Sequence, residues 1–249
     1  MEGLKVLRST QIIILGVCFV IATIASTVIL SQGLLKIKKF SNEVIAVTGS
    51  AEKKIVSDYI VWKGEFSRRA PELKAAYAML QEDLKKVKEY LTSKAVKEEE
   101  LVISQVNTKV LYKKNEKGND TNEIEAYLLS QGIEVKSYDV QKIDNVSRQS
   151  TELIIQDIQF ISQAPEYFYT KLAELKVEML AKATEDAKQR AISMAKSTGN
   201  KIGFMRSAKM GVFQIMPVTS TDVSWYGEND TSSIEKKVMA VVNASFAIE

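Results

Sequence analysis

Carboxylates and one aromatic pair are the side chains in this sequence that could do chemistry. Glu98, Glu99 and Glu100 run consecutively, and oxygen ligands of this kind suit calcium or magnesium. Three carboxylates in a turn from helix to strand are more simply a solvated linker, so no metal is expected. The chain holds 31 Asp and Glu in all. Carboxylate pairs can hydrolyse glycosidic bonds, but no spacing singles out two of them. Trp225 and Tyr226 stand side by side in the polar stretch Pro217–Ser233, where they offer a stacking surface to a ligand or partner. There is no histidine, and Cys18 is the one cysteine. That removes imidazole acid–base catalysis, Ser-His-Asp and Cys-His nucleophiles, thiolate or imidazole zinc sites and intrachain disulfides. No P-loop, GxGxxG or EF-hand run is present. The expectation is a protein that is not an enzyme and carries no cofactor.

What positions such groups begins with the N-terminus. Gln11–Leu30 contains no charge and has the roughly 20 apolar residues that a helix needs to cross a bilayer. A cleaved signal peptide is the alternative, with Ala22–Ser26 resembling a cleavage site, although the apolar run continues through Val28, Ile29 and Leu30. Cys18 reads as a small apolar residue of this segment. Lys5 and Arg8 precede the run and Lys36, Lys38 and Lys39 follow it, so the positive-inside rule gives no clean orientation. The short basic tail suits a cytoplasmic N-terminus, with residues 41–249 extracytoplasmic. Residues 1–40 thus form tail, anchor and basic juxtamembrane segment, whose lysines can meet anionic head groups. The remaining residues carry 29 basic against 30 acidic side chains. Such a nearly neutral domain lacks the charge footprint of a nucleic-acid binder.

Residues 41–249 read as α+β, with a possible subdivision at 162/163. Glu43–Gly49 reads as a strand entering a turn. Lys54–Phe66 reads as a strand with Val56, Ile60, Trp62 and Phe66 on one face. Pro71 opens a helix striped by Leu73, Ala76, Leu80, Leu84, Val87 and Leu91. Leu101–Lys113 and Glu123–Tyr138 are strands joined by a turn at Lys114–Asp120. Asp139 caps a helix carrying Val140, Ile143 and Ile154, and a short strand spans 157–162. This strand–helix–strand–strand–helix–strand order predicts a ferredoxin-like split βαβ unit, an antiparallel sheet with helices on one face. A long helix then spans Glu166–Thr198, stopped by Gly199, with Ala173, Val177, Leu180, Ala187, Ala191 and Met194 on one stripe. Packing against its own sheet is the simpler reading of that stripe, but a helix this long can also reach a partner subunit. Strands at Ser207–Met216 and Lys236–Ile248 flank the Pro217–Ser233 loop, and loops of that length are commonly functional or partner-bound.

Three blocks resemble the SIMPL-domain family: VTGSAEKKIVSDYIVWKGEFS (Val47–Ser67), VQKIDNVSRQSTELIIQDIQFIS (Val140–Ser162) and ATEDAKQRAISMAKSTGNKIG (Ala183–Gly203). The last matches an alanine-rich pattern through Ala183, Asp186, Ala187, Ala191, Ala195, Gly199 and Gly203, and Ser232–Glu249 resembles the family's final strand. The resemblance covers roughly residues 43–249. It implies a bacterial envelope location and self-assembly into large oligomers, with no catalytic residues to carry over. The reading is then a membrane-anchored, single-pass envelope protein forming a homo-oligomer on the extracytoplasmic face. Candidate contact residues are Trp225, Tyr226, Ala187, Ala191 and Met194. The alternative is a binding module that captures a ligand or partner protein through residues 217–233.

Overall fold

The structure, a computed structural model, describes the backbone of residues 2–220 and 224–249 and the side chains of 14–35, 43–220 and 224–249. The flanking charges Lys5, Arg8, Lys36, Lys38 and Lys39 lie outside the described side chains. A single helix, α1 (Glu2–Asn42), leads the chain. Within it Ile14–Leu35, 22 residues of mean hydropathy 2.4, is long and apolar enough to cross a membrane. The hydroxyls of Thr23 and Thr27 donate to the carbonyls of Val20 and Thr23, which satisfies them inside the helix as an apolar surrounding requires.

The remainder is mixed α+β. In chain order come β1 (Val44–Val56), β2 (Tyr59–Ala70), α2 (Leu73–Ser93), β3 (Leu101–Lys114), β4 (Asp120–Ser137), α3 (Val140–Gln149), β5 (Gln159–Ser162) and β6 (Glu166–Phe168). They are followed by α4 (Leu172–Ser197), β7 (Ile202–Met210), β8 (Gln214–Pro217), β9 (Glu228–Asn229) and β10 (Glu235–Ile248). One sheet has the order β3-β4-β2-β5 with β6 also on β2; the other has the order β1-β10-β8-β9 with β7 also on β10. The chain divides into two units, Met1–Ser50 with Leu180–Gly211 and Val241–Glu249, and Ala51–Met179 with Val212–Ala240.

The larger unit is built on the first sheet, whose β2, β4 and β5 pairings are antiparallel. Alternation buries Ile60, Trp62 and Phe66 of β2, and they join Leu80 and Leu91 of α2, Ile143 of α3 and Leu129 and Ile133 of β4 in one core. Full burial of each large side chain contributes about 1.5–3 kcal/mol. The strand expected over Lys54–Phe66 is two strands. Ser57 N–H turns to the Ile234 carbonyl and Asp58 N–H to that of Phe168, which leaves Val56 exposed. Of the α2 stripe, Ala76, Leu80, Val87 and Leu91 are buried, whereas Leu73 at the helix start is exposed. Asp139 caps α3 by accepting from Lys142 N–H at 3.1 Å, but α3 ends at Gln149, and Ile154 is exposed in the 3-10 turn that follows. A buried pair braces α2 on β2: Arg68 donates to both Asp83 oxygens at 2.5 and 2.9 Å. Breaking such a pair costs about 3–5 kcal/mol because one charge stays behind.

In the smaller unit the governing residue is Gly49. It does not end a strand in a turn, because β1 runs straight through it with Val47 and Gly49 facing inward. A Cβ there would stand 2.2 Å from the Ala183 carbonyl oxygen and 2.4 Å from the Ala187 nitrogen. The helix backbone thus lies directly on the strand. The face of α4 that permits this is an i,i+4 ridge of fully buried alanines, Ala183, Ala187, Ala191 and Ala195, the ridge direction inclined about 26° to a helix axis. The expected stripe is corrected accordingly: Ala173 and Val177 are exposed and Met194 lies on the flank. Asp186, beside the ridge, accepts from Ser50 N–H and from Arg190 Nε, both at 2.8 Å.

The helix start is also corrected, from Glu166 to Leu172. Glu166–Phe168 pairs with Val61–Tyr59 of β2, and Asp58 accepts from the Thr170 N–H and hydroxyl at 2.7 and 2.8 Å. Nothing local stops a helix there, but tertiary partners hold the segment extended.

Two measurements check this packing. Gly49→Ala meets backbone, so urea unfolding should show a loss of about 3 kcal/mol. In Gly64→Ala the new Cβ meets only the tip of the Phe160 ring, and the loss should stay near 1 kcal/mol. Ser50 N–H, and then Arg190, hold the Asp186 carboxyl below its ordinary range. A folded pKa below the unfolded one gives stability that is present above the unfolded value and lost as pH falls through the folded value. Asp186→Asn should therefore flatten the acid limb of stability below pH about 4, leaving the profile near pH 7 parallel to that of the parent.

Candidate functional site

Gln214 is the residue that builds the most distinctive surface. It opens β8 with its side chain buried. Its amide nitrogen donates to the Ser224 carbonyl at 2.6 Å, and its amide oxygen accepts from Ser224 N–H at 3.4 Å. The turn Ser224–Gly227 is closed by Gly227 N–H to the Ser224 carbonyl, 3.3 Å, with Gly227 at φ +86°, a conformation that favours glycine. At its tip Trp225 and Tyr226 are 94% and 97% exposed. Two large aromatics thus stand almost wholly in water on a braced turn, apart from any core.

A second uncovered surface lies on β7. One edge of this strand pairs with β10, from Val242↔Met210 to Ile248↔Ile202, with irregular register around Phe246. Among the described residues no strand pairs with its other edge. Phe204 is 80% exposed, and Met205 and Met210 are exposed as well. An exposed apolar edge strand is a template for pairing with another chain.

The remaining sequence candidates separate. Ala187 and Ala191 are fully buried within the chain, and Ala187 lies where its backbone meets Gly49 of β1. Met194 is half exposed and lines a shallow groove with Val47, Thr48, Gln189 and Arg190. Glu98–Glu100 form a 3-10 turn. Glu100 is held there by the Ser137 hydroxyl and by Lys97 N–H, and Lys142 lies 3.6 Å away.

The larger unit also contains a buried polar cluster that the sequence reading missed. Lys236 donates to the carbonyls of Tyr167, at 2.7 Å, and of Asp230, and burial pushes its ammonium pKa down. The Tyr167 hydroxyl donates to Asp144 at 2.6 Å; burial first, and then that carboxylate, push the phenol up to about 12. Asp144 also takes Arg148 Nε at 3.1 Å. These groups tie β10, β6 and α3 together, and each has a partner. The signal for Lys236 was available: it stands on the inward register of β10 with Val238, Ala240, Val242 and Ala244. Gln214 carried no comparable signal, because its role depends on a partner ten residues away.

The clasp is testable. Gln214→Leu keeps the volume but removes both bonds to Ser224 and leaves its N–H without the Gln214 acceptor, at a cost of about 1–3 kcal/mol. Chymotrypsin should then cut after Trp225 or Tyr226 markedly faster than in the parent, with the β2–α2 core unchanged by near-UV circular dichroism.

Gly49 of the Val47–Ser67 block meets Ala183 and Ala187 of the Ala183–Gly203 block in the folded chain, and Ser50 N–H meets Asp186. No curated protein matches the chain. The family described as "SIMPL: Protein of unknown function (DUF541)" matches residues 45–246. The chain therefore belongs to the SIMPL family.

Proposed function

We propose that the chain is a non-enzymatic, membrane-anchored envelope protein whose extracytoplasmic region self-assembles into a large homo-oligomer. The observation that carries this reading is the apolar surface left in water by the chain alone, Trp225 and Tyr226 on the turn and Phe204, Met205 and Met210 on β7. Ile14–Leu35 supports anchorage, because its side chains have no cover within the chain and its length matches a hydrocarbon core. With the anchor in a bilayer and the N-terminus cytoplasmic, residues 41–249 lie outside. Copies held in one membrane meet at raised effective concentration, which favours contacts too weak to form in free solution. The near-neutral charge of residues 41–249 argues against nucleic acid as partner.

The braced turn favours a second reading, a module that captures an envelope ligand or partner protein through residues 217–233. The two separate cleanly by mass. Multi-angle light scattering of the detergent-solubilised full chain at micromolar concentration should give a multiple of 27.8 kDa after subtraction of detergent. A strict monomer would sink the assembly reading and leave the capture module.

A further inference from the structure

Assembly leaves open which surfaces meet, and charge decides between the possibilities. The segment Lys201–Phe213, which contains β7, carries Lys201, Arg206 and Lys209 and no acidic residue. Pro217–Ser233 carries Asp222, Glu228 and Asp230 and no basic one. Asp230 is held internally by Ser232, at 2.7–2.8 Å, whereas Glu228 is half-exposed beside the aromatic turn. On the β7 side Glu249 lies against Gly203, so the basic stretch is the Met205–Met210 end.

Resting on the assembly reading, we propose that copies of this chain dock head to tail, the Trp225–Tyr226 turn of one seated on the Met205–Met210 end of β7 of the next. A self-matched contact is disfavoured on either surface. Pairing β7 with a second β7 sets Lys209 against a strand that carries basic and no acidic residues, and like charges across a strand pair destabilise it. Pairing turn with turn places acidic segment against acidic segment. The unlike pairing sets Glu228 near Lys209 and lays two aromatic rings on methionines, whose thioethers make favourable contacts with aromatic rings and adapt to their shape. Because Gln214 already holds the turn, little ordering is lost on docking. A contact between two different patches is heterologous, so it propagates into a closed ring or an open filament rather than stopping at a two-fold dimer.

The test uses full-length chain in detergent. One variant removes the knob (Trp225→Ala with Tyr226→Ala) and one alters the edge (Met205→Ser with Lys209→Glu); all four side chains are exposed, and circular dichroism checks the fold. Each variant alone should raise the midpoint concentration of assembly roughly tenfold or more, as hot-spot aromatics do. An equimolar mixture should give a discrete two-chain species, since only one intact knob–edge pair remains. Acrylamide should quench Trp225 less in the parent oligomer than in the edge variant, with buried Trp62 as the internal reference. Glu228→Lys should weaken assembly, and Glu228→Lys combined with Lys209→Glu in one chain should recover it.

Parent-sized oligomers in both variants would overturn this docking while the assembly reading stands; a monomeric parent overturns both. A mixture that stays monomeric means a self-matched contact and also overturns it. So does Trp225 that is shielded by phosphatidylcholine vesicles in the monomeric edge variant, which would make the bilayer the occupant of the knob.

Discussion

The close approach of β1 to α4 at Gly49 is the contact on which the smaller unit depends. With 2.2 Å between an ideal Cβ and the Ala183 carbonyl oxygen, a side chain at position 49 would have to displace helix backbone, and so close an approach calls for small residues on the helix face above it. Every fourth residue from Ala183 to Ala195 meets that demand. Alanine also has the highest helix propensity, so local preference and packing ask for the same residue. Asp186 adds direction. By taking Ser50 N–H it fixes the helix along the strand at the point where dispersion alone would let it slide. The aspartate of the alanine-rich pattern is thus explained by position, without any chemistry assigned to it.

The larger unit solves a different problem, the burial of charge. Asp83, Asp144 and Lys236 are each almost fully buried, and an isolated buried charge would be prohibitive. Arg68 forks onto Asp83, Tyr167 and Arg148 share Asp144, and two backbone carbonyls receive Lys236. Arg68–Asp83 fastens α2 to β2, Tyr167–Asp144 fastens β6 to α3, and Lys236 fastens β10 to β6. Burial, and then the pairing itself, shifts such groups, as the phenol of Tyr167 shows, and perturbed titration often marks catalysis. Here Asp83, Asp144, Tyr167 and Lys236 are each turned toward a structural partner, and burial with that fastening accounts for the shifts.

Much of this was legible in the residues, and what was not has identifiable causes. Alternation at Ile60, Trp62 and Phe66 and the cap at Asp139 are local signals, and local structure obeys them. The exposed pair Trp225–Tyr226 stood out because large aromatics in a polar loop have no core to join. Gly49 misled, since glycine inside a strand pattern reads equally as a turn or as a close backbone approach; only the distant Ala183–Ala187 distinguishes them. Glu166–Phe168 misled in the opposite way: a run without Gly or Pro has no local stop, and its pairing with Tyr59–Val61 overrides helix propensity. The edge character of β7 could not be read at all, because which strand lies outermost depends on pairings between segments far apart in sequence.

These outcomes constrain where chains can meet. The small-residue face of α4, the usual invitation to helix–helix contact, is buried within the same chain, at Ala183 and Ala187 against β1, with Met194 at its margin. The apolar faces of α2 and α3 are closed over the first sheet. Among the large apolar groups left uncovered are those where the second sheet ends sideways, at β7, and where β8 and β9 hold out the Ser224–Gly227 turn. A natural edge strand is ordinarily blunted by charge, proline or a bulge. β7 carries charge of one sign and the turn segment the other, so the same residues that guard each surface against its own kind make it receptive to the other.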